Sequence, residues 1–290
     1  MCRLGISAAF LSGVVLVLVG SAVGREQGAE PLRERRAVSK IAARGLPLYC
    51  GGGRAGEVAL TFDDGPTAYT PRLLAALRRS SWSPSLAAVP ATFFLIGRSA
   101  ERYRSYALGE AEVGAVGSHT ESHSTLTELA HDAARREIAE GRRSVEHAIR
   151  EPVQLFRPPG GRRPAAVDRF VASQGLLTVL WAVDQRDWAR RDAGSIVTAL
   201  GSDQRLVAGA IVVLHEFKLA TIEALPAIIR DLRRRGLRPV TVPRLLADDP
   251  PTLAEQRQDA RAGSCVHLYR RVVTGPAPAG ARRRAGDVGG

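Results

Sequence analysis

From residue 57 the chain alternates between short, wholly apolar runs and longer stretches with apolar positions every three or four residues. Val58-Ala59-Leu60-Thr61-Phe62 is a run of the first kind, and it ends in Asp63-Asp64-Gly65-Pro66. A short apolar run closed by a turn signal predicts a strand buried on both faces. Runs over residues 91–96, 115–118, 153–156, 176–183, 210–215 and 237–242 predict further strands. Between them lie helical patterns. Thr70 followed by Pro71 fits an N-cap and a first-turn proline, ahead of Leu73, Leu74 and Leu77. Leu129, Ala133, Ile138, Val145 and Ile149 mark a long surface helix over 127–149. Residues 164–174, 193–200 and 221–235 predict three more, the last closed by Gly236. Strands alternating with helices imply a parallel sheet with right-handed crossovers. Six to eight such units fit an open doubly wound sheet or a closed barrel. No internal repeat is visible. The polar residues fall in one place: Asp63, Asp64, Arg157, Asp184, Asp187 and His215 stand at or just past the C-terminal ends of apolar strands. In α/β barrels that face builds the active site.

The two ends of the chain are different. Met1 to Arg3 carries one positive charge, residues 4–18 are nearly all apolar, and Ser21, Ala22, Val23 and Gly24 are small. This is the tripartite pattern of a secretory signal peptide over residues 1–24, which predicts a secreted or cell-wall-associated protein. The alternative is an uncleaved membrane anchor, since residues 4–24 are about long enough to span a bilayer. Residues 25–54 are charged and poor in apolar positions and read as a linker and N-terminal extension. The folded core is expected over 55–247. Residues 248–290 form a C-terminal extension, and its Gly, Ala, Pro and Arg composition after about residue 275 predicts a disordered tail. Removal of the signal leaves Cys50 and Cys265, an even pair that in an exported chain predicts a disulfide. One lies just before the first strand and the other just after the last core element, and the ends of a closed barrel are neighbours.

Charge narrows the partners. Over 290 residues, 41 Lys+Arg against 29 Asp+Glu give a formal net charge of +12, and Lys40 and Lys218 are the only lysines. The arginines are spread along the chain and aromatics are 5%. A nucleic-acid binder clusters its charge with aromatics for stacking, so no nucleic acid is expected. A solvated basic surface is, with electrostatic attraction to an anionic cell wall. A monomer is expected.

Among the six histidines, His119 and His123 are separated by Thr120-Glu121-Ser122, a spacing that brings two imidazoles within reach of one metal. His131, His147 and His267 lie in polar or helical stretches and read as surface residues. Asp63 and Asp64 adjoin at a strand end, where both side chains are not expected to face the same way. One can ligate a metal while the other stays free as a base; a turn capped by Asp63 is the plainer alternative. Two histidines and one carboxylate leave coordination positions open, the pattern of a catalytic metal site. His215, ending the strand Ile211-Val212-Val213-Leu214, is placed to protonate a leaving group, or is a core histidine bonded to a carbonyl.

Five segments in order carry a resemblance: Thr61-Phe62-Asp63-Asp64-Gly65-Pro66, His119-Thr120-Glu121-Ser122-His123, Arg157-Pro158-Pro159-Gly160-Gly161, Asp184-Gln185-Arg186-Asp187-Trp188 and Leu214-His215. They resemble the motifs of the polysaccharide deacetylases, carbohydrate esterase family 4, with their chitooligosaccharide deacetylase homology domain, over about residues 55–247. The resemblance implies an α/β fold, a distorted (β/α) barrel of seven or eight units. It implies that Asp64, His119 and His123 bind a divalent metal, usually Zn2+. Asp63 would be the general base and Arg157 its counter-charge. His215 would be the general acid, with Asp187 bonded to it. Trp188 and Leu214 would line the pocket for the acetyl methyl, and the backbone N–H of Gly160 would help hold the oxyanion. The implied activity is hydrolytic removal of N-acetyl groups from a cell-wall or chitin-like polysaccharide, peptidoglycan first. The alternatives are an O-acetyl esterase acting on xylan-type glycans, a hydrolase of small amides, and a catalytically silent glycan-binding domain. Three positions depart from the family's pattern: Gly160 replaces an aromatic, Ser124 a proline and Glu216 an aspartate. Residues 80–90 are longer than a plain helix-to-strand link and predict a loop beside the groove.

Overall fold

The structure, a computed structural model, describes residues 20–83 and 86–274. Eight strands make one sheet: β1 (Glu57–Gly65), β2 (Thr92–Leu95), β3 (Ala115–Ser118), β4 (Leu155–Phe156), β5 (Leu177–Thr178), β6 (Val183–Asp184), β7 (Ile211–His215) and β8 (Arg238–Val240). Their order is β5-β4-β3-β2-β1-β7-β6, with β8 paired to the start of β1, and every strand pairing is parallel. With helices between the strands this is the distorted (β/α) barrel expected from the sequence. β1 lies at its centre, which is why its run is apolar without alternation: Val58, Ala59, Leu60 and Phe62 are all fully buried.

The apolar run 176–183, expected as one strand, is two. After β5 the chain leaves one sheet edge and crosses to the other, where Val183 pairs with Val212 of β7. The crossing is bridged by a segment expected to be linker. Leu48 donates its N–H to the Thr178 carbonyl at 2.8 Å and accepts from Leu180 at 2.7 Å, while Gly51 donates to Gly209 at 2.8 Å. Residues 25–42 also differ from the linker reading, because they lie in a helix, Gly20–Ala42. Its Val38, Ile41 and Ala42 are buried in a cluster with Ala59, Phe94, Leu155, Ile211, Leu245 and Leu246. Three sequence-stretches rich in charge or small residues hide further helices, at Arg104–Val113, Leu253–Ala262 and Val266–Thr274. Residues 1–19 of the signal segment expected over 1–24, and the disordered tail expected after about residue 275, lie outside the described residues; residues 20–24 are in the helix Gly20–Ala42. No helix among the described residues is long and apolar enough to cross a membrane.

Cys50 and Cys265 are joined by a disulfide with Cα atoms 5.9 Å apart. His267, expected at the surface, is instead buried beside it, its Nδ1 2.6 Å from Asp259 Oδ2. Asp259 also accepts the N–H groups of Val266 and His267, so it caps the last helix next to the bridge. The disulfide spans a sequence separation of 215. For a loop of that size the chain-entropy model gives a loss of up to about 5 kcal/mol when the bond is removed. Cys265→Ser is therefore expected to unfold at a clearly lower denaturant concentration, and the native protein to show no titratable thiol at either position. An unchanged unfolding midpoint would contradict this role.

Candidate active site

The site is built where β1 ends. Asp63 stands opposite Phe94 of β2, but the next paired residue is Gly65, opposite Leu95, so Asp64 is an extra residue in a bulge. Asp64 takes a left-handed conformation, φ 72°. In a regular strand two adjacent side chains face opposite ways. The bulge removes that constraint, and both carboxylates line one cavity, contrary to the expectation that they diverge. The turn beyond is held from below by Glu216, which is fully buried and accepts the Thr67 N–H at 2.8 Å and the hydroxyl of Thr70. Behind it lies Glu110, whose pKa burial, then the charge of Glu216, pushes well above the ordinary carboxyl range.

Arg157 follows β4 and is fully buried. Its Nη1 donates to Asp63 Oδ1 and to Thr61 Oγ1, each at 2.7 Å. Nε and Nη2 donate to the carbonyls of Val179 and Leu180 at 3.1 and 3.2 Å. Its guanidinium lies 4.0 Å from the centre of the Phe94 ring. Asp63, itself buried, is thus provided with a fixed counter-charge on Oδ1.

Asp64, His119 and His123 form a set in which one ligand atom from each lies within 4.8 Å of the others. His119 Nε2 is 3.4 Å and His123 Nε2 3.0 Å from Asp64 Oδ1. His119 Nδ1 lies 2.7 Å from the carbonyl of Arg157, which makes Nδ1 the protonated nitrogen and leaves the Nε2 lone pair facing Asp64. Asp64 Oδ1 is buried and has no hydrogen-bond partner. Lone pairs that converge on an unpartnered carboxylate oxygen fit a divalent cation. The loop bearing the histidines is pressed against the helix His131–Ile149, where a Cβ on Gly141 would come within 2.2 Å of the Thr120 backbone.

Across the cavity, His215 Nδ1 is 2.7 Å from Asp187 Oδ1. Asp187 is fully buried, and its Oδ2 accepts from the His215 N–H at 2.8 Å and from Thr221 Oγ1 at 2.6 Å. Asp184 does not compete for the imidazole; it accepts the N–H of Arg186 at 2.7 Å. Burial lowers the pKa of His215, but the bond to Asp187 and the charges of Asp63, Asp187 and Asp64 raise it further, to about 9.

The cavity is about 510 Å³ and brings together Asp63, Asp64, His119, His123, Gly160, Trp188 and His215. Arg157 and Asp187 stand behind it. Gly160 sits at φ 59°, a conformation that favours glycine. Leu214 is not in the wall: it is 1% exposed and packs in the core, while Val213 lines the cavity. Alternation along β7 puts Val213 and His215 on one face and Leu214 on the other, a parity already present in the sequence. Trp181, Phe217 and Thr125 also line the cavity and were missed by sequence reasoning. Phe217 lies edge-on to His215, with ring centres 5.7 Å apart.

His119→Ala and His123→Ala each remove an imidazole that converges on Asp64. Both variants are expected to lose bound divalent metal and hydrolytic activity together, as read by metal analysis of the purified protein alongside turnover. Full metal content and turnover in His119→Ala would overturn the ligand set.

A family model described as polysaccharide deacetylase matches residues 51–179. A peptidoglycan-N-acetylglucosamine deacetylase of Bacillus cereus is 36% identical over 197 residues, 65% of this chain and 87% of that protein. A chitooligosaccharide deacetylase of Sinorhizobium fredii is 33% identical over 198 residues, 63% of this chain and 88% of that protein. Among solved structures, a peptidoglycan N-acetylglucosamine deacetylase in complex with a naphthalenyl N-oxidanyl-benzamide superposes with a TM-score of 0.63 at 30% identity, covering 72% of this chain and 94% of that one. Sequence and fold agree, and the chain belongs to the polysaccharide deacetylase family, hydrolases that remove acetyl groups from carbohydrates.

Proposed function

We propose that this protein is a secreted, metal-dependent deacetylase that hydrolyses the N-acetyl groups of amino sugars in a cell-wall polysaccharide, with peptidoglycan as the first substrate. The observation that carries the reading is the pairing of two opposed proton-handling groups across one cavity. Asp63, backed by Arg157, stands on one side, and His215, backed by Asp187, on the other.

Asp64, His119 and His123 would hold the cation, for which Zn2+ fits a two-imidazole, one-carboxylate set. When bound, a divalent cation polarises an acyl oxygen and makes a water more acidic. The chain's own residues divide the rest. Asp63 Oδ2, the oxygen not engaged by Arg157, takes a proton from the attacking water. That water's oxygen bonds to the acyl carbon. With Nδ1 engaged by Asp187, His215 carries the transferable proton on Nε2 and gives it to the departing amine nitrogen as the C–N bond breaks. Acetate and a free amino sugar result. Trp181, Trp188 and Val213 supply apolar wall for the acetyl group and the sugar.

Export is supported by the apolar segment over residues 4–18 and by the Cys50–Cys265 bond, since disulfides persist in oxidising compartments. The net charge of +12 favours contact with an anionic wall. The test is acetate release by the zinc-loaded protein from peptidoglycan, from chitin oligomers and from acetylated xylan. Release from the amino-sugar polymers supports the reading. Release from xylan alone points to ester hydrolysis, and binding without release from any of them points to a silent glycan-binding domain.

The proton roles also predict a bell-shaped pH profile. His215 must be protonated to act, so activity falls as pH rises through its pKa. A bound cation offsets part of the charge of Asp63 and Asp64, so the loaded enzyme's limb is expected below the value of about 9 set by the carboxylates alone. Asp187→Asn removes an anion that favours the imidazolium, and the high-pH limb should move to lower pH. A limb that stays in place would show that another group is the acid.

A further inference from the structure

We propose that a cationic subsite for a carboxylate-bearing substituent adjoins the catalytic cavity at Gly160, and that Arg162 and Arg186 form it. The catalytic cavity and a neighbouring one of about 550 Å³ share Gly160, Trp181 and Asp184 as wall residues. Gly160 separates them with backbone alone. A Cβ built there would meet nothing closer than the Arg162 side chain at 4.0 Å, so no side chain closes the passage from one cavity to the other. The missing aromatic at this position, a departure from the family pattern, is therefore an opening.

Arginines surround that opening. Arg162 lines the catalytic side, and Arg163, Arg186 and Arg205 line the neighbouring side. Two of the four already have carboxylate partners: Arg163 with Asp168 at 2.7 Å, and Arg205 with Asp203 at 2.8 Å. Arg162 and Arg186 have none among the described residues. The guanidinium of Arg186 lies 4.9 Å from the centre of the Trp188 ring, and that ring is 43% exposed beside the catalytic cavity. An exposed indole offers a face to a sugar ring, and a guanidinium held over it offers a planar, two-pronged receptor for a carboxylate. The opposing charge on the shared wall is Asp184, whose Oδ1 accepts the Arg186 N–H. One acid against two unmatched guanidinium groups leaves the opening positive.

The inference rests on the function proposed above and narrows its substrate. An amino-sugar polymer whose neighbouring residue carries a carboxylate, as the lactyl ether of N-acetylmuramic acid does where no peptide is attached to it, fits this site better than a neutral chitin chain. The test compares a tetrasaccharide of alternating N-acetylglucosamine and N-acetylmuramic acid with the same tetrasaccharide after amidation of its carboxyl groups. Shape is constant and only charge differs. The zinc-loaded parent is expected to favour the acid in kcat/KM, by about 5-fold for each guanidinium engaged at low salt, since exposed pairs of this kind contribute up to about that factor. Arg162→Gln with Arg186→Gln should bring the acid-to-amide ratio close to one, and high salt should compress it in the parent. Equal kcat/KM for acid and amide in the parent, or a ratio the double substitution leaves unchanged, would overturn the subsite. Calorimetric binding of both tetrasaccharides to the same proteins gives the same ratio without turnover. Hydrolysis failing on both substrates would therefore count against the proposed reaction, while the binding ratio still decides the subsite.

Discussion

A charged guanidinium in the middle of the barrel is the constraint on which the site depends. Arg157 is fully buried, and removing such a group from water costs several kcal/mol unless it is paired with an opposite charge and hydrogen-bonded. The chain meets that demand from three directions: Asp63 and Thr61 on β1, the carbonyls of Val179 and Leu180 on the crossing segment, and the face of Phe94 on β2. The same residue's carbonyl engages His119 Nδ1 and so fixes which nitrogen faces Asp64. One side chain and its own backbone thus set the position of the base and the orientation of the histidine facing Asp64. Burial pulls the guanidinium pKa down, and the charge of Asp63 and its bond to the guanidinium oppose this. Breaking a buried pair on one side typically costs about 3–5 kcal/mol.

The crossing of residues 179–182 from one sheet edge to the other has a second consequence. Arg157 needs carbonyl oxygens that no neighbouring strand has already taken, and a segment leaving the sheet supplies them. The backbone of Leu48 ties that segment down, and Cys50, two residues on, is bonded to Cys265. The N-terminal segment and the disulfide therefore brace the wall that carries the guanidinium's partners, although neither reaches the cavity.

Much of this was legible in the sequence. Apolar runs located the central strands, and the polar residues at their ends located the site, because a parallel barrel gathers strand C-termini on one face. What was not legible depends on partner strands or on compensation at a distance. The Asp64 bulge exists only relative to the register of β2, so reading Asp63-Asp64 alone gave two diverging carboxylates. The run 176–183 is apolar throughout whether it stays in one strand or changes edges. Residues 20–42 carry many charges and Pro31, which obscured a helix whose Val38 and Ile41 nonetheless reach the core. His267 lies in a polar stretch, yet Asp259 and the disulfide enclose it. Leu214 is different: strand parity with His215 already excluded it from the cavity, and the motif resemblance overrode that signal.

The central claim is that two adjacent aspartates, turned to one cavity by a bulge, do different work: Asp63 moves a proton and Asp64 holds the metal. The most direct test measures metal content and acetate release together in Asp63→Asn and Asp64→Asn. Asparagine at 63 still accepts from Arg157 through its amide oxygen, so the barrel centre keeps that bond. The account predicts that Asp63→Asn retains its metal and loses about 10²–10⁴-fold in rate, the usual contribution of a general base. Asp64→Asn should lose the metal itself. Equal metal loss in the two variants, or full turnover in Asp63→Asn, would contradict the division.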